Sequence, residues 1–187
     1  MGFKIKRFYG SEEDFEKFHH DLKLTPCPFC KMVGTLILNG RLRGYDESSN
    51  NKKIIRGRKI ICNKRKKHKT GCGRSFSILA AHILKNFMIS AESLWLFLKN
   101  IAKGMNKINA LKSLNIEFAE SNAYRMWNNF CNAQSRIRTF LLKICSTPKL
   151  SSVSDPALQT VAHIEKAFKD SFCGVCAFQM HFQASFL

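Results

Sequence analysis

Behind Ser11, the apolar residues Phe15, Phe18 and Leu22 fall on one side of a 3.6-residue repeat, and the acids Glu12, Glu13 and Asp14 precede them. A hydroxyl followed by carboxylates suits the unpaired N–H groups and positive end of a helix, so a short amphipathic helix is predicted over 11–22. Thr25-Pro26-Cys27-Pro28 stops it. From Val33 the spacing shortens to β-like runs over 33–38, 54–62 and 75–78, punctuated by Gly34, Gly40, Gly44, Gly57, Gly71 and Gly73. The stretch 46–51 is a polar loop.

Beyond Ser77 the period is helical again. Ile78, Leu79, His82 and Ile83 predict one helix, and Ser90 caps the next, which runs through Leu94, Trp95, Leu98 and Ile101 to Gly104. A shorter helix over 107–114 follows, then a tight Asn115-Ile116-Glu117 connection. A long helix is predicted from about Ala119 to about Cys145. Its Ala123, Met126, Trp127, Phe130, Ile137, Phe140, Leu141 and Ile144 keep the repeat. A Ser-rich linker, 148–154, leads to Asp155-Pro156, a cap and first-turn pair that opens one more helix to about Phe168. The apolar run 173–187 shows no assignable period.

The predicted class is α+β: a small N-terminal zinc ribbon of β-hairpin type, then a mostly helical helix-turn-helix region. The expected divisions are a helical extension over 1–24, the ribbon over 25–78, the helix-turn-helix region with its long third helix over 79–147, and a linker, helix and apolar tail over 148–187.

The ribbon rests on cysteines. Cys27-Pro28-Phe29-Cys30 is a Cys-x-x-Cys turn, and two thiolates so spaced reach one tetrahedral ion. Cys62 and Cys72, each near the end of a predicted strand, supply the second pair. One structural Zn2+ held by Cys27, Cys30, Cys62 and Cys72 is therefore expected, with no open position for an activated water. Nine residues separate Cys62 from Cys72, where a tight turn has about two to four, so His68 stands as an alternative ligand. Redox use of the pair is disfavoured, because no βαβ pattern surrounds it. Cys173 and Cys176, with His181 and His163 as companions, could form a second site, but their apolar neighbours favour core packing, as for Cys131 and Cys145.

Charge then changes the picture. The 187 residues carry a formal net charge of +18, which points to a polyanionic partner. The segment 52–74 holds a stripe of cations with no acid, and Arg56, Arg58, Lys59, Lys64, Arg65, Lys66, Lys67, Lys69 and Arg74 are the candidate phosphate contacts. On the long helix, an inward Ala123, Met126, Trp127 and Phe130 leaves Asn122, Arg125, Asn128 and Asn129 outside. Arg pairs with guanine and Asn with adenine, so these four are the candidates for base readout. A plain helical bundle packed beneath the ribbon is the competing reading.

Several of these stretches together carry a resemblance: Cys27-Pro28-Phe29-Cys30, Gly40-Arg41-Leu42-Arg43-Gly44, Ile61-Cys62, Gly71-Cys72-Gly73-Arg74-Ser75-Phe76 and Tyr124-Arg125-Met126-Trp127-Asn128-Asn129-Phe130. Over roughly 25–144 the chain resembles the transposase-associated zinc-ribbon plus helix-turn-helix proteins of bacterial insertion sequences. The resemblance implies recognition of element DNA by a protein that assists or regulates transposition, with a transposase encoded nearby as a possible partner. Catalysis is not expected, since the few acids after Leu150 do not supply the carboxylate trio of a two-metal recombinase. No secretory signal or membrane span is expected, which places the protein in the cytoplasm at the nucleoid. A stand-alone transcriptional regulator, an RNA- or ribosome-associated zinc ribbon, and an interaction module docking through 177–187 are the other readings.

Overall fold

The computed structural model describes residues 6–47, 53–64, 71–148 and 155–187. Within them the chain is mixed α+β, with four strands and six helices. In chain order these are β1 (Phe8–Tyr9), α1 (Glu12–His20), a 3-10 turn (Asp21–Lys23), β2 (Leu36–Gly44), β3 (Ile54–Cys62) and β4 (Ser75–Ala80). The helices α2 (Ala91–Ala102), α3 (Lys107–Lys112), α4 (Ser121–Leu141), α5 (Pro156–Ala167) and α6 (Gly174–Phe182) complete the chain. None of the described helices is long and apolar enough to cross a membrane.

The strands lie in the order β1-β4-β3-β2. β2, β3 and β4 form an antiparallel meander, and β1 adds in parallel through Phe8 beside Leu79 and Tyr9 beside Ala80. Where the sequence period suggested a helix over Ile78, Leu79, His82 and Ile83, the strand β4 instead runs on to Ala80. Ile78 and Leu79 pair with Arg58 and Gly57, and a Cβ on Gly57 would sit 2.3 Å from the Ile78 carbonyl oxygen. That close approach is open only to glycine, and it fixes this stretch of β4 against β3. Two adjacent apolar residues suit either period, and pairing decides between them.

The caps fall where the residue types put them. The Ser11 hydroxyl accepts from the Asp14 N–H, the Ser90 hydroxyl from Ser93, and the Asp155 carboxylate from Ala157. Ser90 is itself clamped, since the Glu47 carboxylate accepts from its N–H at 2.7 Å and its hydroxyl at 2.8 Å. Before α4 the chain departs from expectation. The connection spans residues 113–120 rather than three residues, with Asn115 at φ 53°, and Glu120 caps α4 without a side-chain hydrogen bond.

Two cores result. One lies between the sheet and the N-terminal segment and gathers Phe15, Leu22, Leu36, Ile60 and Ile78 beside the buried Cys27 and Cys62. The other is helical and gathers Leu94, Phe97, Phe130, Ile137, Val161 and Phe178 among others. The run 173–187, which had no readable period, is α6 and a short tail. Its Phe178, Phe182 and Phe186 sit inside the helical core. α6 also ties the cores together, because the fully buried Gln179 amide donates to the carbonyls of Ala81 at 2.7 Å and Ile83 at 3.1 Å.

Candidate metal centre

Cys27 and Cys30 stand in the turn that follows the 3-10 turn. Cys27 N–H donates to the Met32 carbonyl at 2.9 Å, and Lys31 N–H returns to the Cys27 carbonyl at 2.9 Å. This closes a tight loop in which Lys31 takes a left-handed φ of 61°. Cys62 ends β3 and Cys72 lies just before β4. All four cysteines are free thiols, and their sulfurs lie within 4.8 Å of one another. The Cys27–Cys72 and Cys30–Cys62 sulfur distances are 3.8 Å and 3.7 Å. A tetrahedron with metal–sulfur bonds of about 2.3 Å has edges of about 3.8 Å. The four residues could therefore hold a metal ion with little movement.

The long Cys62–Cys72 spacing has a local explanation. Gly71 N–H donates to the Asn63 carbonyl at 3.0 Å, and Gly73 N–H donates to the Cys62 carbonyl at 2.9 Å. The chain thus closes on itself at Asn63 and Gly71, and around the sulfurs the turn reads Cys62-Asn63, then Gly71-Cys72. Gly71 cannot be larger, since a Cβ there would lie 2.4 Å from the Cys62 sulfur and 2.6 Å from the Asn63 oxygen. The Cys72 N–H points at the Cys62 sulfur at 3.3 Å, and the buried Thr35 hydroxyl lies 3.1 Å from it. Both can donate to a thiolate. His68, the alternative ligand, lies outside the described residues.

The first pair is electrostatically unequal. Burial, its largest influence, pushes the Cys27 thiol up to about 12. A hydrogen bond from the Met32 backbone leads the influences that lower Cys30 to about 6. A cation among the sulfurs would favour the thiolate at every position.

Among the described residues no second group of three or more metal-ligating side chains comes together, so Cys173 and Cys176 are not gathered with His163 and His181. Cys173 is buried and caps α6, accepting from Cys176 N–H, while the Cys176 thiol donates to Glu92 at 3.2 Å. His163 is buried with Nε2 at 3.0 Å from the Cys145 carbonyl, and His181 packs against Phe168 and Phe182.

The cationic stripe divides. Lys59, Lys64 and Arg74 are exposed, with the Arg74 guanidinium 5.4 Å from the Phe29 ring centroid. Arg58 is buried, ion-paired with Glu12 and stacked over Phe15. Arg56 is half-buried and donates to the carbonyls of Tyr45, Leu84 and Phe87. These two arginines are engaged within the protein, and sequence spacing gave no sign of their partners. Arg65, Lys66, Lys67 and Lys69 lie outside the described residues. On α4, Ala123, Met126 and Phe130 are buried, Arg125 and Asn128 are exposed, and Asn122, Trp127 and Asn129 are half-buried.

Family models, curated proteins and solved structures give no match to this chain.

Proposed function

We propose that the chain is a DNA-binding protein built around a structural zinc ion, acting as an accessory or regulator of a mobile element and performing no catalysis itself. The observation that carries the reading is the outward side of α4. There Arg125 and Asn128 present base-reading chemistry opposite the buried Ala123, Met126 and Phe130, with the half-buried Asn122 and Asn129 at the flanks, on a chain of net charge +18. In this reading α4 enters the major groove and α3 braces it. The connection over 113–120 is longer than the three- or four-residue turn of a compact helix-turn-helix, so the chemistry of α4 bears the weight rather than the turn.

Zinc is the metal that suits the site. Four sulfurs at tetrahedral spacing match its ligand preference, and four protein ligands leave it no position for a substrate. Lys59, Lys64 and Arg74 remain as phosphate contacts from the described part of the stripe. The protein would work in the cytoplasm, at the nucleoid, with a transposase encoded nearby as its partner.

Selection of bound sequences from random duplex DNA, with zinc quantified in the same preparation, tests the reading. One zinc per chain and an enriched motif are expected. Arg125→Ala should then lower the preference for that motif by about 1–3 kcal/mol while leaving non-specific binding nearly unchanged. A zinc-loaded protein that enriches no sequence, or prefers structured RNA, overturns it.

A further inference from the structure

A groove of about 440 Å³ opens on the sheet, between β2, the end of β4, the start of the chain and the tail after α6. Leu42 and Leu79 contribute its apolar lining, and Arg7, Arg43 and Lys85 stand exposed around it. None of these three cations has an ion-pair partner among the described residues. Arg56 also lines the groove. It donates to three carbonyls, which are neutral and leave its positive charge in place.

A second hollow, of about 400 Å³, lies next to the first. Asn86 lines both, and Asn122 and Arg125 of α4 line the second. No carboxylate lines either hollow among the described residues. The segment joining β4 to α2 borders both hollows and so lies between the cationic groove on the sheet and the side of α4 that carries Arg125, with Glu47 held on Ser90 and Ser93 at its far end.

We infer that this surface is a track for the phosphodiester backbone of duplex DNA, with Arg7, Arg43 and Lys85 as phosphate contacts that set the register of α4. The inference rests on the DNA-binding reading above and goes beyond it, because these three residues lie outside the stripe that the sequence singles out. A polyanion is the occupant that the charge selects, since Arg7, Arg43 and Lys85 stand around the groove without an ion-pair partner among the described residues, while the Asp46 carboxylate acts on Arg56. DNA is favoured over other polyanions by where the track leads: it ends at an arginine and an asparagine, side chains that read base edges. Backbone contacts of this kind fix orientation and carry no sequence information, which is the division of labour seen where a helix reads a groove.

The test uses the zinc-loaded full chain and the duplex obtained from the selection experiment. Binding is followed by fluorescence anisotropy at salt concentrations between about 50 and 200 mM. Removing one phosphate contact should reduce the slope of log affinity against log salt by about 0.9, so Arg43→Ala combined with Lys85→Ala should reduce it by about 1.8. Lys169→Ala, at an exposed cation that lines neither hollow, should leave the slope unchanged. Matching melting curves for the variants confirm that they fold.

If the unmodified chain binds no duplex at any salt, the DNA-binding reading falls and the track falls with it. If it binds normally and the double variant keeps the full slope, the track alone is overturned. An equal loss of slope with Lys169→Ala also overturns it, by showing that net charge rather than position matters. A tighter hold on an RNA duplex of equal length removes DNA as the occupant.

Discussion

Cys27 and Cys30 stand three residues apart, yet their thiols are pulled in opposite directions. Burial holds Cys27 protonated well above neutrality, at about 12, and the Met32 N–H leads the hydrogen bonds that bring Cys30 to about 6. In the metal-free folded chain at pH 7, Cys30 is a thiolate and Cys27 is not. Metal entry must then expel the Cys27 proton, and below pH 6 it must expel the Cys30 proton as well. Proton release favours binding as pH rises. Zinc affinity should therefore fall by about tenfold or more for each unit that the pH drops towards 6, and by about a hundredfold or more for each unit that it drops below 6. Competition titrations with a chromophoric chelator across pH 5–8 measure this directly. A flat profile would show that the sulfurs do not act as the ligands.

Among the helices, α6 tests how far the two cores depend on each other. Gln179 is fully buried, its amide nitrogen serves two carbonyls just beyond β4, and its oxygen accepts from Phe186 N–H. Replacing it by leucine keeps the bulk and leaves those groups unpaired, at about 1–3 kcal/mol for each that water cannot reach. Gln179→Leu should lower stability in denaturant titration by about 2–4 kcal/mol. A loss below 1 kcal/mol would mean that the junction is wet or plastic.

The elements that were legible in the sequence are those with local causes. Ser11, Ser90 and Asp155 announce their helices because a cap is a contact made within three residues. The four-cysteine site was readable too, since metal geometry restricts both spacing and residue type. What the sequence concealed is non-local. β1 has two residues and exists only because β4 offers an edge beside Phe8 and Tyr9. Ile78 and Leu79 are strand residues because Gly57 lets the neighbouring backbone close in. The run after Cys173 hides its period because the outer side of α6 carries the half-buried Cys176, Ala177 and Met180 while the polar Gln179 lies on its buried side. Arg58 stood among the candidate phosphate contacts, and its ion pair with Glu12, 46 positions away, left no trace in spacing.

At the scale of the whole molecule, the cysteine cluster belongs to one core and not to the other. Cys27 and Cys62 are buried in the sheet core, while the helical core is assembled from α2 to α6 without any sulfur from the cluster. Chelation should consequently loosen the sheet first. With a strong chelator present, hydrogen exchange should accelerate across residues 27–36, 54–64 and 71–80, while α2 and α4 keep most of their protection. Calorimetry should resolve two transitions in place of one. Uniform loss of protection would show instead that Gln179 and its neighbours weld the two halves into a single cooperative unit.

The hydrogen bond between Gly71 and Asn63 closes the chain on itself at the foot of the segment between them. With both ends clasped there, the number of residues in the excursion drops out of the geometry around the sulfurs. Evolution, or a protein engineer, can therefore trade one excursion for another of different size or charge at this place, as one changes the pendant on a closed ring, and the ligand set stays where it is.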